Sequence, residues 1–240
     1  MPLNLDALRV VLIDPRNPLN IGAAARAMSN FGFMRLRLVN AYDVAYTEAK
    51  SAVNASAVLK ASEQFATVAE AVADCTLVVG TASRGHRVLQ HPFQRLEFGA
   101  AAIRREMGGG GVALLFGSEK FGLTNDDLTH CHSLIHIPTR RQHESMNLGQ
   151  AVAVCLYELI RSGDAQSAEP LEKRRALSED VSRISDLLIE ALERSGYIQE
   201  LTSESSHAKV RRMVNRLALS DSDAKAWLGM LRQILWKLRQ

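Results

Sequence analysis

The 240 residues suffice for one full α/β domain and a smaller appendage. At 47% hydrophobic and 23% charged, the composition excludes a disordered chain, and no apolar run reaches the roughly 18 residues of a membrane span. The net charge of +3 is too small to establish a nucleic-acid partner by itself; the whole surplus lies in residues 171–240, which hold 13 Lys+Arg against 10 Asp+Glu.

The start, MPLNLDALRV, lacks the basic region and long apolar core of a secretory signal. Cys75, Cys131 and Cys155 form no C-x-x-C pair, so neither a disulfide nor a zinc framework is expected, and a reducing cytoplasm fits. Residues 9–14 read as a buried strand ending at the turn signal Asp14-Pro15. Residues 20–31 read as an Ala-rich helix with Asn20 as N-cap and Gly32 past its end. Strands follow at 34–40, 75–81, 112–117 and 133–138, with helices at about 64–73 and 93–107, a capped turn at 124–129 and an apolar helix at 147–161. Residues 50–60 are ambiguous, with room for a further short strand. After the small polar stretch 162–170, helical spacing returns at 179–195, 208–218 and 221–239. Strands alternating with helices imply a mostly parallel sheet covered on both faces.

No G-x-G-x-x-G and no G-x-x-x-x-G-K-[ST] follows the first strand, so the dinucleotide and P-loop fingerprints are both missing. The G-x-S-x-G elbow of a hydrolase is missing too. Three other segments stand out: Asn20-Ile21-Gly22-Ala23-Ala24-Ala25-Arg26 with Phe31-Gly32; Phe116-Gly117-Ser118-Glu119-Lys120-Phe121-Gly122-Leu123; and Ile137-Pro138 followed by Ser145-Met146-Asn147-Leu148-Gly149-Gln150-Ala151.

In order and spacing these resemble the three motifs of the SPOUT (SpoU-TrmD) methyltransferases, most closely the TrmJ group of tRNA 2′-O-methyltransferases. The resemblance implies an α/β fold with a deep trefoil knot at 1–163, a linker at 164–170 and an all-α RNA-recognition extension at 171–240. It also implies S-adenosylmethionine as the methyl donor, a homodimer, and tRNA as substrate at cytidine or uridine 32. The same motifs fit an rRNA substrate or a non-catalytic RNA-binding homologue. By the same resemblance, Asn20, Arg26, Glu119, Ser145 and Asn147 are catalytic candidates. Thr81, Ala82, Ser83, Gly117, Ile137, Glu144, Ser145 and Met146 would hold the cofactor, largely through backbone groups. Lys209, Arg211, Arg212 and Arg216, with Arg26, would contact RNA.

Each assignment has a plain structural alternative. Arg26 is otherwise a solvated helix charge; it is a poor general base, since a guanidinium keeps its proton above pH ~12. Glu119 is otherwise a carboxylate balancing a helix dipole, and Ser145 and Asn147 are otherwise helix caps. Gly117 either lets the chain approach a ligand or serves a turn. Leu148, Val152, Leu156 and Leu159 on the 147–161 helix belong either to a two-fold interface or to a core. The basic residues near 209–216 are otherwise a solvated helix face. His130, His132, His136 and His143 gather near Cys131, but in no zinc-binding spacing, and no metal is expected.

Overall fold

Five of the six residues of the first strand, Leu8–Ile13, are buried, which marks a strand covered on both faces. The structure, a computed structural model, describes residues 3–42, 46–47, 57–83, 91–140, 142, 145–161, 175–199 and 203–239. Within them run β1 (Leu8–Ile13), β2 (Arg35–Val39), β3 (Glu63–Phe65), β4 (Leu77–Thr81), β5 (Phe93–Arg95), β6 (Val112–Phe116) and β7 (Ser133–His136). They form one seven-stranded sheet in the order β3-β2-β1-β6-β4-β7-β5, and every neighbouring pair is parallel.

The helices are α1 (Pro18–Asn30), α2 (Ala57–Lys60), α3 (Val68–Val72), α4 (Leu96–Glu106), α5 (Asn125–Thr129), α6 (Leu148–Arg161), α7 (Ser178–Arg194), α8 (Ser203–Arg216) and α9 (Asp221–Leu238). One core joins α1, α4 and α6 to the sheet through Ile21, Met28, Ile103, Val152 and Leu156; a second joins α3 and α5 through Ala71, Val72 and Leu128. The chain order β1-β6-β4 departs from the sequence order at the middle of the sheet. The loops after β1, β4, β6 and β7 therefore gather at one edge, the usual place for a ligand in an open parallel sheet.

Three sequence expectations need correction. The helix expected at about 64–73 begins at Val68, capped by Thr67, because Glu63–Phe65 pair with β2 as an edge of the sheet. Asn20 does not cap α1; Asn17 does, its side chain accepting from the Leu19 N–H at 2.9 Å, with Pro18 at the first helical position. The helix expected at 93–107 begins at Leu96, because Phe93–Arg95 pair with β7 as the sheet's edge. Three residues are too few to show an alternating pattern. The ambiguous segment 50–60 lies outside the described residues as far as residue 56, and 57–60 is helical.

The C-terminal helices α7, α8 and α9 have a core of their own, built from Val181, Ile184, Val214, Leu228 and Leu231 among others. It is fastened to the sheet unit by backbone bonds from Ser178 N to Cys75 O (2.7 Å) and Glu179 N to Ala73 O (3.1 Å). The buried Asn215 side chain of α8 donates to the Thr129 carbonyl of α5. No helix among the described residues is long and apolar enough to cross a membrane.

Candidate active site

A chain of hydrogen bonds ties the three motifs together. Asn147 precedes α6, and its Oδ1 accepts from the N–H groups of Gly149 (3.0 Å) and Gln150 (3.3 Å), capping that helix. This fixes the amide orientation and aims Nδ2 at Asn20 Oδ1, 2.9 Å away. Asn20 in turn donates through Nδ2 to Glu119 Oε1 at 3.1 Å. Glu119 also accepts from the Asn17 N–H (3.3 Å) and the Arg16 N–H (3.4 Å). Its carboxylate therefore sits at the α1 N-terminus, where the helix dipole favours negative charge. For Glu119 and Asn147, the plain structural role is present and coexists with membership of a constellation at the strand ends.

That constellation opens on a cavity of about 610 Å³, within the usual range of a small-molecule site. Asn20, Glu119, Ser145 and Asn147 line it, as do Thr81, Ala82, Ser83, Ile137 and Met146. The lining mixes loop backbone with apolar side chains such as Phe116, Leu123 and Leu148, which suits a ligand with a flat apolar part and polar ends. Glu144 lies outside the described residues, as does His143.

Gly117 does not line the cavity. A Cβ there would stand 2.0–2.2 Å from the backbone of Gly122 and Leu123. A close approach that requires a glycine here is the 117–123 loop folding back on itself. The loop is pinned by the Gly122 N–H to Ser118 O bond (2.8 Å), and Gly122 takes a φ of +67°.

Arg26 points elsewhere. It is exposed on α1, outside the cavity, with no hydrogen bond or ion pair among the described residues. The predicted basic group divides. Lys209, Arg212 and Arg216 fall at i, i+3 and i+7 on α8, one face of the helix. Arg212 and Arg216 lie close enough to the buried His91 to depress its pKa, after burial itself. Arg211 points away and is held by Asp186 at 2.6 Å.

His132 and His136 have structural roles. His136 is buried and stacked on Phe93 with ring centroids 4.8 Å apart. His132 Nδ1 accepts from the Val78 N–H at 2.9 Å while the His132 backbone N–H donates to Val78 O at 2.9 Å, prolonging the ladder between β7 and β4. Desolvation holds its pKa down at about 4. Among the described residues, no group of three or more His, Cys, Asp or Glu side chains is placed to hold a metal.

Leu148, Val152, Leu156 and Leu159 are all buried within the protomer, so they cannot form an interface; the exposed apolar side chains of α6 are Val154, Tyr157 and Ile160. The sequence reading gave Gly149 no role of its own. A Cβ there would stand 2.6 Å from the Ala23 Cβ, so α1 and α6 touch through small residues, and that contact sets the Asn20–Asn147 distance. It also missed Asn17, although Asn-Pro ahead of a helix is a readable cap signal.

Residues 7–157 match the SpoU rRNA Methylase family. A tRNA (cytidine/uridine-2′-O-)-methyltransferase TrmJ of Yersinia pestis (strain Pestoides F) is 34% identical, over 96% of this chain and 92% of its own length. The tRNA (cytidine/uridine/adenosine-2′-O-)-methyltransferase TrmJ of Pseudomonas aeruginosa (strain UCBPP-PA14) is 32% identical, over 95% and 93%. The crystal structure of TrmJ from Z. mobilis ZM4 superposes with a TM-score of 0.81 at 31% identity, covering 94% of this chain and 98% of that one. The motif resemblance, the parallel sheet and these full-length matches agree: the chain belongs to the SpoU methylase family, in the group of the TrmJ tRNA 2′-O-methyltransferases.

Proposed function

We propose that the protein methylates the ribose 2′-hydroxyl of a tRNA nucleotide, cytidine or uridine 32, with S-adenosylmethionine as donor. The observation that carries this reading is the Asn147–Asn20–Glu119 chain of bonds at the mouth of the cavity. Three segments far apart in sequence converge there on a small set of oriented polar groups, as a site for placing a hydroxyl requires.

The loops at Thr81–Ser83, Ile137 and Ser145–Met146 would hold the cofactor, which supplies an electrophilic methyl group. Glu119 is the only carboxylate among the described residues lining the cavity. With Asn20 and Asn147 it orients the groups around the incoming ribose. Ser145 is exposed at the cavity wall, within the same site. Arg26 would grip the RNA, positioning and polarising the hydroxyl rather than removing its proton. Lys209, Arg212 and Arg216 would meet tRNA phosphates.

In this reading residues 1–163 form the catalytic domain, knotted at its C-terminal end, and 171–240 form the tRNA-recognition extension after a linker at 164–170. The protein works in the cytoplasm as a homodimer, for which Val154, Tyr157 and Ile160 replace the buried leucines as candidate contacts. Mass-spectrometric mapping of ribose methylation in RNA from cells lacking the protein tests the activity. Loss of one 2′-O-methyl pyrimidine from the tRNA anticodon loop is expected. A tRNA pool identical to wild type, with a methyl lost from rRNA instead, would move the substrate to rRNA.

A further inference from the structure

We infer that Phe121 is a stacking platform for the base of the nucleotide being methylated, an inference that rests on the RNA-methylating reading above. Phe121 lines the cavity two residues after Glu119, yet it is 66% exposed. A single exposed aromatic is unremarkable on an ordinary surface. This one is held outward by the loop that carries it. Gly117 packs directly on Gly122–Leu123, the Gly122 N–H is bonded to Ser118 O, and the Phe121 N–H donates to Ser118 Oγ at 3.3 Å. A closed turn of this kind fixes the backbone that carries the ring and so the direction in which its Cα–Cβ bond leaves the loop.

The surroundings fit a nucleotide. Lys120 places its ammonium 5.1 Å from the ring centroid, so one face carries a cation suited to a phosphate, and the exposed remainder is left for a flat partner. A ribose placed against Asn20 and Glu119 carries its base within reach of a ring two residues away on the same loop. Bases unstacked from RNA are commonly received on aromatic side chains.

The test uses the full-length protein and a tRNA transcript, with Phe121→Ala, Phe121→Leu and Phe121→Trp. Stacking on one aromatic is worth about 1–3 kcal/mol by alanine substitution, so Phe121→Ala should weaken tRNA binding by roughly 5- to 150-fold. Phe121→Leu, apolar but without a π face, should lose nearly as much, and Phe121→Trp should retain wild-type affinity. Calorimetric affinity for S-adenosylmethionine should be unchanged in all three. Wild-type RNA affinity and turnover in Phe121→Ala would overturn the inference. So would full rescue by leucine, which would indicate packing, or a lower sedimentation mass in Phe121→Ala, which would assign the ring to a protein interface. RNA binding that depends on Phe121 without methyl transfer by the wild-type protein would uphold the platform and overturn the methylation reading.

Discussion

Asn20 and Arg26 share one helix and one motif but face different surroundings. Six residues at 3.6 per turn leave them about 120° apart around α1. Asn20 is half-buried against Glu119 and Asn147, while Arg26 is exposed and without a partner among the described residues. A role for Arg26 therefore has to come from the RNA side. Arg26→Ala should lower single-turnover methylation of a tRNA transcript by about 10- to 100-fold, the worth of one or two charge-assisted hydrogen bonds, with cofactor affinity nearly intact. Lysine keeps the charge but not the planar fork of donors, so Arg26→Lys should fail nearly as badly. Wild-type turnover in Arg26→Ala would return the residue to a solvated charge. His132 makes a prediction of a different kind. Its Nδ1 must stay unprotonated to accept from Val78, and desolvation, then the Arg175 charge, hold its pKa at about 4, against 6.5 ordinarily. A base with a lowered folded pKa binds its proton more readily in the unfolded chain, so its share of stability is complete above pH ~6.5 and declines toward pH ~4. Thermal melts between those values should show a falling Tm. His132→Asn, which keeps an acceptor but cannot titrate, should flatten part of that slope, the remainder belonging to His91 and His130, whose pKa values are lowered in the same direction. An unchanged slope in His132→Asn would dismiss the role.

At the scale of elements, α1 and α6 form the frame of the site. Both carry small residues where they cross, and a Cβ on Gly149 would press on Ala23 at 2.6 Å. Gly149→Val should therefore wedge the helices apart, destabilise the fold by about 1–3 kcal/mol in denaturant unfolding, and reduce methyl transfer further than the stability loss explains. An active, fully stable Gly149→Val protein would show that the frame tolerates separation. The motif N-L-G-Q-A was legible as a motif, but its glycine's purpose was not, because the partner Ala23 lies 126 positions away. Long-range contact also hid β5, whose three residues become a strand only beside β7, and turned the expected interface of α6 inward. What the sequence conveyed well was local: the apolar runs of β1, β4 and β6, the capping box at Thr124 and Asp127, and the end of α1 at Gly32 with φ +80°. The convergence of Asn20, Glu119 and Asn147 was legible only through the motif resemblance, since no spacing rule relates the ends of three parallel strands.

For the molecule as a whole, the question is how a protein with so small a net charge would hold an RNA. The sheet-bearing part is close to neutral, and the surplus belongs to the C-terminal helices. Many cations there are already spent on neighbours: Arg194 and Arg239 on Glu190, Arg211 on Asp186, Lys225 on Asp221. Lys209 has no such pair among the described residues and shares a face of α8 with Arg212 and Arg216, and His91 brings those two arginines next to the sheet unit. An RNA spanning both units would cross this face. Each phosphate contact adds roughly 0.9 to the slope of log affinity against log salt on a duplex, and about 0.7 on a single strand. Lys209→Ala with Arg216→Ala should thus flatten the slope for tRNA by between 1 and 2, with affinity for S-adenosylmethionine unchanged. Arg211→Ala removes only an internal ion pair and should leave the slope as it is. These surface substitutions test the face more cleanly than deleting residues 171–240, which would strip the bonds from Ser178, Glu179 and Asn215 off the sheet unit. If Arg211→Ala flattens the slope and the Lys209 and Arg216 pair does not, the RNA path lies over α7 and the other side of α8.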